Sequence, residues 1–145
     1  MTVRAEDLLG SWDLQRIDLI GPGVEDQPPA YGGNPEGILH YLPDGRMVAI
    51  LQNGSRKPIP GGRSGGSDAE WKRAARSFTA YAGNYEILPD RIVHHVDFNS
   101  YPNDAGTDYV RFARLQGELL VLETPLDGPP DTRPMRLFWK RRPAR

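Results

Sequence analysis

The sequence contains no cysteine, which excludes disulfide bonds, thiolate metal sites and cysteine nucleophiles. Lysine is nearly as scarce, with only Lys57, Lys72 and Lys140 in the chain. An excess of charge of one sign is also lacking, because 18 basic residues face 19 acidic residues and leave a net charge of −1. A nucleic-acid-binding protein usually carries a clear basic excess. The sequence therefore indicates no nucleic-acid partner.

Long apolar runs are missing as well, so no segment is suited to a transmembrane helix. Near the start of the chain, Arg4, Glu6 and Asp7 lie where a signal peptide has its apolar stretch. We therefore expect a cytoplasmic protein with no membrane partner.

Cofactor and metal motifs are not evident. The glycine-rich segment 60–66 follows no strand and lacks the lysine and hydroxyl pair of a phosphate-binding loop. A metal site needs three or four converging ligands. His40 and His94 would supply two ligands, with Asp97 or Glu123 as a third, but no spacing forces them together. We expect neither a cofactor nor a metal.

Glycine (16 residues) and proline (14 residues) are abundant, which disfavours a helical bundle. Between turn signals the chain shows short segments rich in branched and aromatic residues, which predict strands. Pro43-Asp44-Gly45 is the clearest turn, because proline presets the bend and glycine accepts a positive φ. The predicted strands cover residues 9–20, 36–42, 46–52, 84–88, 91–98, 107–115, 118–124 and 135–141.

One helix is expected, over about residues 68–82 and ending near Gly83. Ser67 or Asp68 is suited to cap its first turn, and Glu70 favours the helix N-terminus. An apolar face is indicated by the three- and four-residue spacing of Trp71, Ala74, Ala75, Phe78 and Tyr81.

Eight strands joined in order by turns favour an antiparallel up-and-down sheet that closes into a barrel and leaves no exposed edge. The prediction is thus an all-β fold with one inserted helix, forming a single domain over residues 1–145. A barrel of eight strands is either filled by side chains or holds one small ligand, and the pattern leaves both outcomes open.

Several segments resemble a known family. Gly10-Ser11-Trp12 is similar to the first lipocalin signature, and Thr107-Asp108-Tyr109 is similar to a later one. A broader resemblance, to the bacterial lipocalin-like domain family of the calycin type, spans most of the chain. It is carried by LLGSWDL, LHYLPDGRMVAIL, SFTAYAGNYEI, IVHHVDFNSYPNDAGTDYVRFARL and LFWKR.

The resemblance implies a lipocalin-like barrel with one open mouth and an internal cavity. It also implies that the tryptophan of the first signature plugs the closed end and that a late arginine covers it. It does not imply one function, because related barrels carry small molecules or transform them.

Alternation along the strands indicates which histidines face inward. His94 shares its face with Ile92, Val96 and Phe98, so we predict that it lies inside, with His95 and Asp97 outside. The opposite parity, with His95 and Asp97 as an interior pair, stays open. His40 is placed inside with Ile38 and Leu42. An interior histidine is suited to general base catalysis near neutral pH.

Other polar side chains are candidates for the barrel interior or its mouth. Arg111 is suited to bind a carboxylate or enolate, and it joins His94 and His40 as a candidate catalytic residue. The candidate ligand-binding residues are Arg16, which follows Trp12 and Leu14 inward unless a bulge intervenes, Tyr81, Tyr101 and Trp139.

Three functions follow from these residues. The first is binding of a small, largely apolar molecule in the cavity. The second is a cofactor-free enzyme of the isomerase, cyclase or hydratase type, with a lumen histidine as general base. The third is a non-catalytic interaction domain with a filled core. An exposed Phe138 or Tyr41 would be a reason to expect a homodimer.

Overall fold

The computed structural model describes residues 3–129 and 132–143. Within this part of the chain it contains eight strands and two α-helices. The strands are β1 (Gly10–Leu19), β2 (Pro35–Tyr41), β3 (Arg46–Asn53), β4 (Phe78–Ile87), β5 (Arg91–Asn99), β6 (Asp108–Gln116), β7 (Leu119–Glu123) and β8 (Met135–Arg141). The helices are α1 (Ala5–Leu8) and α2 (Asp68–Arg76), and four short 3₁₀ turns lie in the connections.

The strands form one closed barrel in chain order. Every neighbouring pair is antiparallel, and β1 pairs with both β2 and β8, which closes the sheet. This confirms the predicted eight-stranded up-and-down barrel. None of the helices within residues 3–129 and 132–143 is long and apolar enough to cross a membrane.

The alternating direction of the strands sorts the connections between the two ends of the barrel. The short turns after β2, β4 and β6 lie at one end, where β1 begins. The longer connections after β1, β3, β5 and β7 lie at the other end. The turn after β2 has the predicted geometry, with Gly45 at φ +92° and the Leu42 backbone N–H donating to the Arg46 carbonyl over 2.8 Å.

The end with the short turns is closed by side chains. The Trp12 indole N–H donates to the Leu8 carbonyl of α1 over 2.9 Å, and both side chains are buried. The Arg141 guanidinium lies 4.2 Å from the centre of the Trp12 ring and donates to the carbonyls of Leu9 and Asp7. This is the tryptophan plug with a covering arginine that the resemblance implies.

Helix α2 is shorter than the sequence indicates. Ser67 caps its start, as one of the two predicted candidates, and forms a reciprocal pair with Glu70, but the helix ends at Arg76 rather than near residue 82. Phe78 pairs with Gln52 of β3, so Phe78 and Tyr81 belong to β4. Strand pairing outweighed the helical spacing, as tertiary contacts often do. The apolar residues of α2 are not packed into the core, because no residue of α2 is buried and Trp71 is 44% exposed.

The residues that would have favoured a homodimer do not lie on the surface. Tyr41 is fully buried inside the barrel, and Phe138 is 4% exposed on the outer face beneath Arg16. The homodimer therefore stays a prediction without that support.

Candidate functional site

A cavity of about 810 Å³ lies inside the barrel and reaches the end that carries the long connections. Its walls are mainly aliphatic and aromatic, and they include Leu39, Leu51, Leu122 and Leu137. At the mouth, Tyr101 and Leu126 belong to connections and are 47% and 63% exposed, whereas the opposite end is closed by Trp12. The cavity therefore opens at one end of the barrel and is closed at the other.

His94 lies on the inner face, and its side chain is 1% exposed. The Tyr41 hydroxyl is 2.7 Å from its Nε2, and the Tyr81 hydroxyl is 3.0 Å from its Nδ1. Burial, followed by the charges of Arg111 and His95, lowers the pKa of the His94 imidazole to about 3. His94 is therefore neutral at pH 7, and both of its ring nitrogens are occupied by tyrosine hydroxyls.

A β-bulge in β5, three residues after His94, determines which of the following residues face the cavity. Ala82 pairs with Phe98 and Gly83 pairs with Val96, so Asp97 is an extra residue in β5. The two backbones come so close that a Cβ at Gly83 would lie 1.9 Å from the His95 carbonyl oxygen. Because the extra residue reverses the alternation, Phe98 is 69% exposed and Asn99 lines the cavity. The prediction that Phe98 faces inward with His94 is therefore wrong.

Arg111 lies on the inner face of β6 and lines the cavity. Its guanidinium is 4.8 Å from the centre of the Tyr109 ring and donates to the Val110 carbonyl over 2.9 Å. Tyr109 donates its own hydroxyl hydrogen to Asp104 and accepts from the Asn99 amide over 2.9 Å. Burial, followed by the bond to Asp104, raises the pKa of Tyr109. The Tyr109 hydroxyl therefore both donates and accepts a hydrogen bond within the protein.

Two buried polar atoms have no hydrogen-bond partner in the part of the chain that the structure describes: Trp139 Nε1 and Arg133 Nε. Both atoms are donors, and both residues line the cavity. Trp139 is 2% exposed. Buried donors in native proteins are nearly always paired, so an unpaired donor in a cavity wall requires an explanation.

Tyr31 at the mouth was missed by the sequence analysis. Its hydroxyl donates to Thr79 Oγ1 over 2.9 Å, and its backbone has φ +49°, which is uncommon for a residue other than glycine. Burial raises the pKa of Tyr31. The neighbouring Gly32-Gly33 indicates a turn but does not indicate that the Tyr31 side chain points inward, so no specific sequence signal predicted the role of Tyr31.

His40 does not line the cavity, contrary to the prediction. Its exposed side chain lies on the outer face of β2, opposite Val48 of β3, whereas Leu39 and Tyr41 are buried. Both faces of this strand carry apolar residues, so the alternation alone could not decide between them. The register with Met47 and Ala49, which are buried, decides it.

Arg16 also lies outside, because a bulge intervenes in β1. Leu14 pairs with Trp139 and Arg16 with Phe138, which leaves Gln15 as an extra residue and turns Ile17 inward. The Arg16 guanidinium lies 3.9 Å from the centre of the Phe138 ring and bonds Asp18 over 3.1 Å. The exception stated for Arg16, a bulge, therefore applies, and Arg16 does not follow Trp12 and Leu14 inward.

His95 and Asp97 both lie on the outer surface, so the opposite parity is excluded. His95 Nδ1 is 2.8 Å from Asp108, and Nε2 is 3.2 Å from Glu86. These contacts, Asp108 first, raise the pKa of His95. Of the other candidates, Tyr81 and Trp139 line the cavity wall and Tyr101 lies at its rim.

Comparison with known proteins agrees with this architecture. The sequence profile of the lipocalin-like domain family matches residues 9–142. A curated relative is the 4'-hydroxy-3'-methoxypropiophenone carrier protein ppsC of Aspergillus oryzae, which is 35% identical over 68 residues. The match covers 41% of this chain and 60% of that relative. No solved structure matches the chain.

The relative is fungal, so a specific likeness to bacterial members stays a prediction. The family match, in contrast, spans all eight strands of the barrel. The chain belongs to the lipocalin-like domain family.

Proposed function

We propose that this protein binds one small, largely apolar molecule inside its barrel. The observation that carries the proposal is the cavity of about 810 Å³ with a single mouth. Ligand pockets typically have about 300–1,000 Å³ and mainly apolar walls with a few placed polar groups. The leucines of the wall, together with Tyr81, Trp139 and Arg111, match that description.

The name of the fungal relative supports the same general role, since it describes a carrier of an aromatic ketone. The interaction-domain hypothesis expects a filled barrel, which is at odds with a cavity of this size. A cytoplasmic location and a homodimer remain predictions from the sequence, to be checked by cell fractionation and by size-exclusion chromatography.

The enzyme hypothesis has less support. A general base must reach a proton on the substrate and must have a pKa near the working pH. Both nitrogens of His94 are held by Tyr41 and Tyr81, and its pKa is lowered to about 3. The His94 ring lines the cavity, but because both of its nitrogens are occupied, any hydrogen bond between this group and a ligand runs through the Tyr81 hydroxyl.

The test is a fluorescence titration with an anilinonaphthalene probe on three proteins. Wild type is expected to saturate at one probe per chain. Leu51→Trp places a large side chain into the cavity, and we expect it to weaken probe binding at least tenfold. The control is Val48→Trp on the outer face of the same strand, where Val48 is 36% exposed, and it should bind as wild type does. Equal binding by all three proteins would place the probe elsewhere and contradict the proposal.

A further inference from the structure

The cavity wall presents hydrogen-bond donors that the protein leaves without acceptors. Trp139 Nε1 is buried and has no partner among the described residues, and indole nitrogen can only donate. No acceptor of the described residues lies within hydrogen-bond distance of it, so a bound molecule must supply one or the donor stays unpaired. This observation concerns the ligand directly, because Trp139 lines the cavity.

A second donor follows from the direction of the hydrogen bonds around His94. A neutral imidazole donates from one nitrogen and accepts at the other. If Nε2 carries the proton, it donates to Tyr41, and the Tyr41 hydroxyl hydrogen is left without an acceptor. Tyr41 is fully buried, and within residues 3–129 and 132–143 its hydroxyl contacts only His94. Such an unpaired buried group is costly.

The other tautomer satisfies Tyr41 and both ring nitrogens of His94. Tyr41 donates to Nε2, and the Nδ1–H donates to the Tyr81 oxygen. The Tyr81 hydroxyl hydrogen is then free, and Tyr81 lines the cavity. The buried tyrosine thus fixes the imidazole, and the imidazole turns the Tyr81 hydroxyl into a donor toward the ligand. His94 is in this sense a positioning residue.

Two further polar side chains of the wall, Tyr109 and Arg111, agree with this arrangement. The Tyr109 hydroxyl is taken by Asp104 and Asn99, so it offers the ligand no hydrogen. Arg111 donates to a backbone carbonyl and keeps further N–H groups, and a guanidinium accepts nothing. Trp139, Tyr81 and Arg111 thus present donors, whereas the carboxylates that line the cavity, Asp104, Asp108 and Asp127, lie in or next to the connections at its mouth.

We infer that the bound molecule carries a carbonyl oxygen on an otherwise apolar frame, and that this oxygen accepts from Trp139 Nε1 while the Tyr81 hydroxyl is a second donor to the ligand. The inference rests on the proposed function, since it names the class of ligand for the same cavity.

The first experiment compares propiophenone with propylbenzene, which has a methylene group in place of the carbonyl, in competition against the anilinonaphthalene probe. Wild type should bind the ketone about tenfold more tightly, as one well-paired hydrogen bond allows. Trp139→Phe keeps an aromatic ring but removes the N–H, and the ratio should fall to near one. Trp71→Phe, on the exposed helix α2, should keep the wild-type ratio.

Nuclear magnetic resonance supplies two readouts that need no variant. In ¹⁵N-labelled protein, the Trp139 indole signal should shift on addition of propiophenone and much less on addition of propylbenzene. The His94 ring should show a protonated Nδ1 and an unprotonated Nε2.

A ratio near one in wild type, or an unchanged ratio in Trp139→Phe, would overturn the assignment of the carbonyl to Trp139. A protonated Nε2 on His94 would overturn the role of Tyr81 as a donor. If neither compound displaces the probe and the probe itself does not bind, the proposed function fails and this inference fails with it. Probe binding with no preference for the ketone would overturn this inference alone.

Discussion

Acid should destabilise this protein through His94. The imidazole is buried and neutral, and its folded-state pKa is lowered from 6.5 to about 3. Below pH 6.5 the unfolded chain therefore binds a proton that the folded chain does not. The stability that follows from this difference is present above the unfolded pKa and is lost as the pH falls from 6.5 toward 3. Each unit of pH within that window removes up to about 1.4 kcal/mol.

Between pH 7 and pH 4.5 the loss from this one group amounts to about 2.5 kcal/mol. For a chain of this length, that corresponds to a fall in Tm of about 8 °C. The assay is chemical denaturation at a series of pH values, followed by circular dichroism.

The control for this assay is His94→Gln, which keeps a donor and an acceptor for Tyr41 and Tyr81 but does not titrate. All other ionisable groups are shared by the two proteins, so the difference between the two pH profiles isolates His94. His95 contributes little to either profile, because its contacts with Asp108 and Glu86 are on the surface. Identical pH profiles for wild type and His94→Gln would refute the reasoning.

Two further substitutions test the packing around this histidine. Gly83→Ala should cost about 3 kcal/mol in the free energy of unfolding, because the new Cβ would meet the His95 carbonyl oxygen at 1.9 Å. Gly128→Ala, whose nearest contact would be 3.4 Å, should change stability by less than about 0.5 kcal/mol, and equal costs for the two would contradict the close approach. Tyr41→Phe should cost about 1–3 kcal/mol, because it leaves the buried Nε2 of His94 without a donor. Tyr101→Phe, at the exposed rim, should cost less than about 0.5 kcal/mol, and a similarly small cost for Tyr41→Phe would argue against the hydrogen bond.

Much of the barrel could be predicted because its signals are local. The turn at Pro43-Asp44-Gly45 depends on neighbouring residues alone, and its geometry agrees with the structure. Trp139, predicted for the barrel interior or its mouth, lies in the core. His94 is placed inside for the same reason: in β5 one alternating set of residues is clearly more apolar than the other.

The errors arise where a distant strand decides the local structure. The bulges at Gln15 and Asp97 are defined by the register of β1 with β8 and of β5 with β4, so the local sequence of neither strand predicts them. These bulges account for the outward positions of Arg16 and Phe98. His40 was misplaced because both faces of β2 carry apolar residues. Helix α2 was predicted too long because Phe78 pairs with β3 and so belongs to a strand.

The hydrogen bonds of the site could not be predicted from the sequence for a related reason. Tyr41, Tyr81 and His94 come from three different strands, and their contacts span 53 and 13 residues of sequence. The Trp139 indole N–H is unpaired because no acceptor of the described residues lies within hydrogen-bond distance, and the local sequence does not reveal this. Such features follow from the closed barrel as a whole.

The most direct test of the central claim, that the barrel interior is the binding site, is a methyl-labelled NMR titration with the anilinonaphthalene probe. Methyl signals of Leu51 and Leu122, which line the cavity, should shift and saturate at one equivalent. Signals of Val48 and Ile38, which are 36% and 42% exposed on the outer face, should stay in place. Shifts confined to Val48 and Ile38, or no saturable shift at the inner leucines, would contradict the account.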